Sequence, residues 1–344
     1  MQEKINALKE KWEACKERFA ADAAFRKKTL IYGGIGVIAV LAIVLVCLLP
    51  GGSRGSAGQE NTPDADGNDP VQEQQEENAA NEFQAPVVEP EGMKEIFAKY
   101  EDAYAWLVIP GTGEVEESSG KPYHQQEDAS GKIVPMDLSL PVMTHQERDH
   151  YLYRKYDGTD SDKGSLFTDS WVEGKFCNGT DMNDPVTVIY GHNQRNREML
   201  GGMMAYALDC DFSSKDPYLM YIYQEGRRLT YRIFAGLQYD KCHILYNFDG
   251  LRDDETFAYF FNTEIYQFAN GIINIDENHK PVPGDRVVIL SVCKDGDTEH
   301  LNRNLIMGVL IEDTAVTEEK DMTPMSRAWL TTQKALAAKA EKAD

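Results

Sequence analysis

Two stretches of the chain, Val186-Thr-Val-Ile-Tyr190 and Val287-Val-Ile-Leu-Ser-Val292, have the composition of buried β-strands. Each is a short, nearly uninterrupted series of β-branched and aliphatic residues, which favours a strand covered on both faces. Gly191 and His192 follow the first stretch directly, and Cys293 follows the second. A strand end presents its side chain at the rim of a sheet, so the sequence predicts that His192 and Cys293 lie at such a rim.

Further strand patterns occur before, between and after these two stretches, most of them bounded by turn-forming residues. They lie at 141–144, 165–168, 218–223, 229–237 and 304–311. Apolar residues at helical spacing interrupt the strands only at about 197–208 and 253–270. Many short strands with few helices predict a mostly β domain, a closed barrel or a sandwich of seven to eight strands.

Three further segments do not share the strand pattern. Residues 93–106 have apolar residues at helical spacing and end at Trp106-Leu-Val-Ile before a Pro-Gly turn. Residues 112–138 are polar and show no clear period, so we expect a long loop or an insertion there. After residue 312, Thr323 and Pro324 form a helix start signal, which predicts a C-terminal helix.

The first fifty residues are not globular. Leu30 to Leu49 is an uncharged, almost wholly apolar run of twenty residues. A helix of that length, at about 1.5 Å per residue, crosses the roughly 30 Å hydrocarbon core of a bilayer. Arg26, Lys27 and Lys28 precede the run. Because basic residues stay on the cytoplasmic side, we expect residues 1–29 inside the cell and the rest of the chain outside.

A cleaved signal peptide is the alternative to an uncleaved anchor. The apolar run is long for a signal peptide, 29 residues precede it, and no convincing small-x-small cleavage site follows it, which favours the anchor. A lipoprotein anchor at Cys47 is disfavoured because the three preceding residues are not small. Residues 1–29 carry an apolar stripe and are expected to form a cytoplasmic helix that continues the span, with a partner-binding helix as the other interpretation.

The charge of the chain excludes one class of partner. A formal net charge of −22 is incompatible with the broad basic surface that binds nucleic acid. Part of this charge lies in residues 51–90, which hold nine Asp or Glu against one Arg and are rich in Gly, Pro, Gln and Asn. Such a segment cannot bury enough apolar surface to offset its ordering entropy, so we expect a disordered tether.

These observations divide the chain into five segments. They are a cytoplasmic segment at 1–29, a transmembrane helix at 30–49, a disordered acidic linker at 50–92, an outer globular domain at 93–311 and a helical tail at 312–344. On this topology Cys15 lies inside, Cys47 lies in the membrane, and Cys177, Cys210, Cys242 and Cys293 lie outside. Four outer cysteines are too sparse for a disulfide framework. A Cys210–Cys242 bridge stays open, because sequence alone cannot place their Cα atoms within bridging distance.

A cysteine nucleophile needs a base or cation near its thiolate and a donor for the oxyanion that forms when it attacks a carbonyl. Cys293, His192 and Arg303, which opens the strand after the polar loop 294–303, can meet these needs together. Each has a plainer interpretation: Cys293 as a small core residue, His192 as a hydrogen-bonded surface residue, and Arg303 as a solvated charge. Their combination favours cysteine catalysis.

The order and spacing of these residues resemble the sortase family, most closely class B, over roughly 93–311. The matching segments are Trp106-Leu-Val-Ile-Pro-Gly-Thr112, Leu140-Pro-Val142, Tyr151-Leu152 with Asp157-Gly158, Gly164-Ser-Leu-Phe-Thr-Asp169, Val188-Ile-Tyr-Gly-His-Asn193, Met203 to Tyr206, Leu290-Ser-Val-Cys293, and Arg303. The helical pattern at 253–270 resembles the long helix that distinguishes class B from class A.

The resemblance implies a closed sortase-type β-barrel and a membrane-anchored cysteine transpeptidase on the surface of a Gram-positive bacterium. Cys293 would attack a backbone carbonyl in the C-terminal sorting signal of a secreted protein. His192 would protonate the departing amine and later deprotonate an incoming one, and Arg303 would hold the carbonyl. The acceptor amine would come from a lipid-linked peptidoglycan precursor or a pilin lysine. No cofactor and no metal are implied.

One position departs from the family pattern. The cysteine strand of the family usually reads Thr-Leu-x-Thr-Cys, whereas this chain has Ile289-Leu-Ser-Val-Cys293. The missing threonine hydroxyl brings a substrate hydrogen bond at Val292 into question. Ser291, Val292 and Asn193 are the candidate substrate-binding residues.

Two other functions remain open on the sequence. One is a pilin-polymerising or hydrolytic cysteine peptidase on the same barrel, and the other is a catalytically silent, membrane-tethered barrel that binds peptides or scaffolds envelope proteins. The Val292 departure favours the silent barrel, and the intact Cys293, His192 and Arg303 argue against it.

Asp157 to Asp162 resembles a calcium loop but lacks the required glycine position and the closing Glu, so a solvated turn is expected. The other outer histidines show no metal-ligand spacing with a cysteine.

Overall fold

The computed structural model describes residues 85–128, 130–172, 175–176, 178–239, 244, 251–269, 271–294 and 302–340. The strands are β1 (Ala103–Ile109), β2 (Gln125–Glu127), β3 (Ile133–Pro135), β4 (Leu138–His145), β5 (Leu166–Asp169), β6 (Trp171–Val172), β7 (Lys175–Phe176), β8 (Val186–Gly191), β9 (Leu219–Gln224), β10 (Arg227–Tyr239), β11 (Ile273–Ile275), β12 (Val287–Cys293) and β13 (Arg303–Ala315). The helices are α1 (Met93–Lys99), α2 (Met203–Asp209), α3 (Asp254–Tyr259), α4 (Ile265–Gln267) and α5 (Pro324–Ala340). A π-helical turn, Phe260–Glu264, joins α3 to α4, and a 3₁₀ helix, Glu319–Asp321, precedes α5.

Eight strands close into one barrel. Their order around it is β10, β13, β12, β8, β5, β4, β1 and β9, and β9 pairs with β10 again to complete the circle. The pairs β8–β12 and β4–β5 are parallel, and the other neighbours are antiparallel. β11 adds to the free side of β10. The predicted mostly β class and closed barrel are confirmed, with eight strands.

Every barrel strand contributes apolar side chains to one interior cluster. Leu107, Leu290 and Ile306 are among its buried members, and α2 adds Met203 and Ala207. Because side chains alternate along a strand, the intervening residues face outward. On β12 the outward set comprises Val287, Ile289, Ser291 and Cys293. The face of β12 that carries Cys293 is therefore the outside of the barrel.

The predicted 253–270 helix is confirmed as a continuous helical segment from α3 to α4. The Asp253 side chain caps it by accepting a 2.8 Å hydrogen bond from the Thr256 backbone N–H, as an N-cap aspartate does. Phe257, Phe260 and Phe261 are buried in a second cluster that also contains Ile289 of β12. This helix therefore shares a buried cluster with the outer face of the strand on which Cys293 lies.

Three element predictions were wrong in extent. The helix at 93–106 ends at Lys99, and β1 begins at Ala103, because pairing with β4 and β9 outweighs the helical spacing of a short apolar run. The helix at 197–208 covers only α2, and residues 197–202 form a loop instead. The strand at 304–311 continues to Ala315 through its pairing with β10.

The predicted loop at 112–138 has its own structure. It contains the hairpin β2–β3, and β4 begins within it at Leu138. Thr112 joins its two ends, because its hydroxyl donates to the Ile109 carbonyl at 2.8 Å and accepts from the Leu138 N–H at 2.8 Å. Residues 112–137, called the insertion below, are therefore anchored to the barrel.

Residues on either side of the predicted domain, 93–311, pair with each other. Val87, within the predicted linker, donates its N–H to Thr317 Oγ1 at 3.1 Å, and the Thr317 N–H donates to the Val87 carbonyl at 2.7 Å. The described part of the linker, 85–92, thus pairs with the segment that follows β13. The predicted C-terminal helix is confirmed as α5. The predicted cytoplasmic segment, the predicted span and most of the linker lie outside the described residues, among which no helix has the length and apolarity to span a membrane.

Candidate active site

Two neighbouring parallel strands bring His192 and Cys293 to the same end of the barrel. β8 and β12 run in register, and their last pair is Gly191 with Val292. His192 and Cys293 are the next residues of the two chains. Since neighbouring strands lie about 4.8 Å apart, the two residues leave the barrel side by side.

Gly191 permits a close approach at this strand end. A Cβ atom at this position would lie 2.7 Å from Leu166 Cδ2 and 2.9 Å from Leu200 Cδ1. Both leucines are fully buried in the interior cluster. A larger residue would therefore require these packed leucine side chains to shift.

Arg303 lies opposite Cys293 across the antiparallel pair β12–β13. Directly opposed residues point to the same face, with Cβ atoms about 4.5–5.5 Å apart. Both side chains are partly buried, and Cys293 is a free thiol. Arg303 Nη1 donates to the Asn302 carbonyl at 3.0 Å. Strand register thus places Arg303 directly across from the residue that carries the thiol.

The imidazole of His192 is oriented by a backbone carbonyl. Its Nε2 lies 2.6 Å from the carbonyl oxygen of Leu152. A carbonyl only accepts, so Nε2 carries a proton and Nδ1 is the nitrogen left for proton exchange with a substrate. The ring of Tyr153 lies against the imidazole, with centroids 5.3 Å apart, and is 62% exposed. Sequence reasoning assigned no role to Leu152 or Tyr153.

Asn193 connects the two catalytic strands. Its Nδ2 donates a 2.9 Å hydrogen bond to the carbonyl oxygen of Cys293. The sequence predicted a substrate contact for Asn193, whereas the structure uses one of its amide protons within the protein. The residue therefore ties the end of β8 to the end of β12.

The other two candidate substrate-binding residues lie on opposite faces of β12. The Val292 side chain is 1% exposed and belongs to the interior cluster, so the predicted side-chain contact with substrate is corrected. Ser291 shares the face of Cys293 but is 3% exposed. Its Oγ has no hydrogen-bond partner among the described residues. A threonine hydroxyl at position 292 would point into the barrel, away from the face of β12 that carries Cys293.

One group of candidate metal ligands occurs in the described part of the chain: His145, Glu147 and His150. His150 Nδ1 lies 2.9 Å from Glu147 Oε2, and the two imidazole rings stack with centroids 3.7 Å apart. Arg154 Nη1 lies 3.4 Å from the same His150 nitrogen, which places a positive charge where a cation would bind. The group is better described as a local hydrogen-bonded cluster of side chains. At the predicted solvated turn, Asp157 Oδ1 accepts hydrogen bonds from the N–H and hydroxyl of Thr159.

Comparison with known proteins finds similarity to sortase B proteins. No family model matches the chain. The chain is 24% identical over 179 residues to sortase B of Listeria monocytogenes serovar 1/2a, which covers 52% of this chain and 67% of the relative. Among solved structures it is similar to Clostridium perfringens sortase B, with 18% identity, a TM-score of 0.45, and coverage of 64% of this chain and 99% of that one. It is also similar to Staphylococcus aureus sortase B, with 17% identity, a TM-score of 0.47, and coverage of 71% and 94%. This sequence match to sortase B supports the resemblance of the chain to class B sortases, which are cysteine transpeptidases.

Proposed function

We propose that this chain is a membrane-anchored sortase that cleaves the C-terminal sorting signal of secreted proteins through a thioacyl intermediate on Cys293. The acyl group then passes to an amine. The main support is the placement of Cys293, which faces Arg303 across one strand pair and neighbours His192 across the other. Nucleophile, acid–base group and cationic donor thus meet at one barrel end.

The reaction follows from these positions. The Cys293 thiolate attacks the scissile carbonyl and forms a carbon–sulfur bond, and the carbonyl oxygen becomes an oxyanion beside the Arg303 guanidinium. His192, protonated on both nitrogens, donates the Nδ1 proton to the departing amine as the carbon–nitrogen bond breaks. An incoming amine then attacks the thioester, loses a proton to Nδ1, and expels Cys293 as thiolate. Each step conserves charge and returns the site to its starting state.

The Leu152 carbonyl serves both halves of this cycle. It accepts from Nε2–H in the neutral and in the protonated imidazole, so the ring keeps one orientation while Nδ1 gains and loses its proton. Asn193 holds the Cys293 carbonyl at the same time. The nucleophile and the acid–base group are therefore positioned by separate hydrogen bonds.

We further propose that the apolar run at 30–49 anchors the enzyme in the cell membrane of a Gram-positive bacterium, with the barrel outside. The acceptor is then a lipid-linked peptidoglycan precursor or a pilin lysine. Enzyme, substrate and acceptor that share one membrane surface gain effective concentration, which favours the amine over water. The silent-scaffold alternative depended on Val292, and the burial of that side chain inside the barrel removes the observation that favoured it.

The test is a cleavage assay on a library of peptides, run with the full chain in detergent or vesicles. Candidate amines, such as triglycine or a lysine peptide, are added or left out. We expect cleavage by the wild type and amine-dependent formation of a new amide. Cys293→Ala should abolish turnover, and His192→Ala and Arg303→Ala should each lower it by about 10²–10⁴-fold. Cys210→Ala is the matched control, because that buried thiol lies outside the site.

Unchanged turnover in Cys293→Ala would overturn the assignment. Cleavage that amines do not divert into a new amide would indicate a hydrolytic peptidase.

A further inference from the structure

The insertion packs on the loop that follows the catalytic histidine. This loop, residues 193–202, is called the His192 loop below. Glu116 Oε2 in the insertion pairs with Arg197 Nη2 in the loop at 2.5 Å, and their side chains are only 12% and 17% exposed. The backbone N–H of Gln125 donates to the Arg197 carbonyl at 3.2 Å, and its Nε2 donates to the Asn196 carbonyl at 2.5 Å. The insertion thus bonds to two consecutive carbonyls of the loop.

A second contact extends to the helix after the loop. The ring of Tyr123 lies edge-on to Tyr206 of α2, with centroids 5.3 Å apart, and its hydroxyl donates to Asp209 Oδ2 at 2.8 Å. Gly202 lies so close to the Tyr123 carbonyl oxygen that a Cβ would overlap it. The insertion therefore fits both the loop and the start of α2.

The His192 loop needs such support because its backbone is strained. Arg197 and Met199 have φ angles of 68° and 53°, in the left-handed region that side chains with a Cβ disfavour. Such conformations persist only where the surroundings hold them in place. Side chains of the insertion hold the loop in this conformation. The Glu116 carboxylate, which pairs with Arg197, is itself oriented by hydrogen bonds from the hydroxyls of Ser118 and Ser119 at 2.7 and 2.6 Å.

The strained loop is bonded directly to the active site. The Leu200 N–H donates to the His192 carbonyl at 3.1 Å, and Asn193 bridges to Met199. Asn193 in turn holds the Cys293 carbonyl. A change in the loop therefore reaches His192 through a backbone hydrogen bond and Cys293 through the side chain of Asn193.

We propose that the insertion is a positioning element of the active site, and that its Glu116–Arg197 ion pair, with Gln125, holds the His192 loop in the conformation that sets His192 and Asn193 beside Cys293. Glu116, Gln125 and Arg197 touch neither the nucleophile nor a reacting atom, so they act through His192. The inference rests on the proposed function, because it concerns the rate of that reaction.

The first test compares turnover with a matched control. Glu116→Gln and Arg197→Gln should each lower kcat for peptide cleavage about tenfold, because small misplacements of a catalytic group are costly, and leave the KM of the sorting peptide within about twofold. Arg197→Lys should recover most of the loss. The control is Asp184→Asn, which breaks a similar pair with Arg252 (2.8 Å) just before the start of β8, where Asp184 is 13% exposed. It should leave kcat unchanged.

The second test does not depend on activity. Hydrogen exchange of residues 193–202, measured on the full chain, should accelerate in Glu116→Gln and not in Asp184→Asn, above all at the Leu200 amide. If Glu116→Gln fails to fold, Gln125→Ala serves instead, because it removes a bond to the loop without leaving a buried charge. Unchanged exchange and unchanged kcat in folded variants would overturn the proposal. If the wild type cleaves no peptide, the proposed function fails, whereas unchanged exchange in folded Glu116→Gln would overturn this inference by itself.

Discussion

Nε2 of His192 lies 2.6 Å from the carbonyl oxygen of Leu152, forty residues away in the chain. Leu152 and the neighbouring Tyr153 belong to the segment between β4 and β5, so two parts of the barrel rim meet at this histidine. The contact fixes which ring nitrogen carries the proton of the neutral imidazole. It requires a proton on Nε2 and leaves Nδ1 for the substrate.

The first prediction concerns this tautomer. In protein with ¹⁵N-labelled histidine, the neutral His192 ring should show the shifts of an Nε2–H tautomer, because the Leu152 carbonyl holds that proton. The spectrum of His192→Ala identifies the signals by their loss. A neutral ring protonated on Nδ1 would contradict the assigned roles of the two nitrogens.

The second prediction concerns Asn193. Asn193→Ala removes the 2.9 Å hydrogen bond to the Cys293 carbonyl, so we expect kcat to fall about tenfold and stability to fall by about 1 kcal/mol. Asn193→Asp should be worse, because a carboxylate would face the carbonyl oxygen. Steady-state kinetics and urea unfolding measure both effects. Full activity in Asn193→Ala would show that the link between the strands has no catalytic role.

The third prediction tests whether the side chain at position 292, where the chain departs from the family pattern, contacts the substrate. Val292→Thr restores the family's residue but places a hydroxyl inside the barrel, where the side chain is 1% exposed. We expect a loss of about 1–3 kcal/mol in the free energy of unfolding and an unchanged KM. Val288→Thr, on the same interior face, is the matched control. A lower KM in Val292→Thr alone would place that side chain in contact with the substrate.

The fourth prediction compares two cysteines. Burial raises the pKa of the Cys210 thiol to about 12, and the nearby Asp209 carboxylate adds to the effect. The thiolate is the reactive form, so Cys210 should resist iodoacetamide at mildly alkaline pH while the partly exposed Cys293 is alkylated. Peptide mapping by mass spectrometry measures both sites in one sample. Equal labelling of the two residues in folded protein would contradict the buried position of Cys210.

The fifth prediction concerns pH. Hydrogen bonds from Ser119 and Ser118, and then the Arg197 pair, hold the pKa of the Glu116 carboxyl below its ordinary value of 4.5, against the opposing effect of burial. A lowered folded-state pKa means that the carboxylate stabilises the fold above pH 4.5 and that this contribution is lost as pH falls through the lowered pKa. The stability difference between wild type and Glu116→Gln should therefore shrink below pH 4.5. Urea unfolding at several pH values measures it, and a constant difference would contradict the assignment.

The sequence by itself determined the strand content, the helix that begins after Asp253, and the candidate trio Cys293, His192 and Arg303. These features depend on local pattern, because β-branched runs and caps act within a few residues. Local pattern also predicted a helix over the whole of 93–106, because a short apolar run satisfies both helical and strand spacing. It placed Val292 next to the nucleophile, but only closure of the barrel decides which face of β12 becomes the interior.

Only the tertiary structure decided how these residues are held. The Leu152 carbonyl meets His192 across 40 residues, Glu116 meets Arg197 across 81, and Asn193 meets Cys293 across 100. Two of these contacts end on a backbone carbonyl, a group that every residue carries and that leaves no mark in the sequence. Strand register and barrel closure select which carbonyl lies within reach, and they depend on the packing of the whole domain.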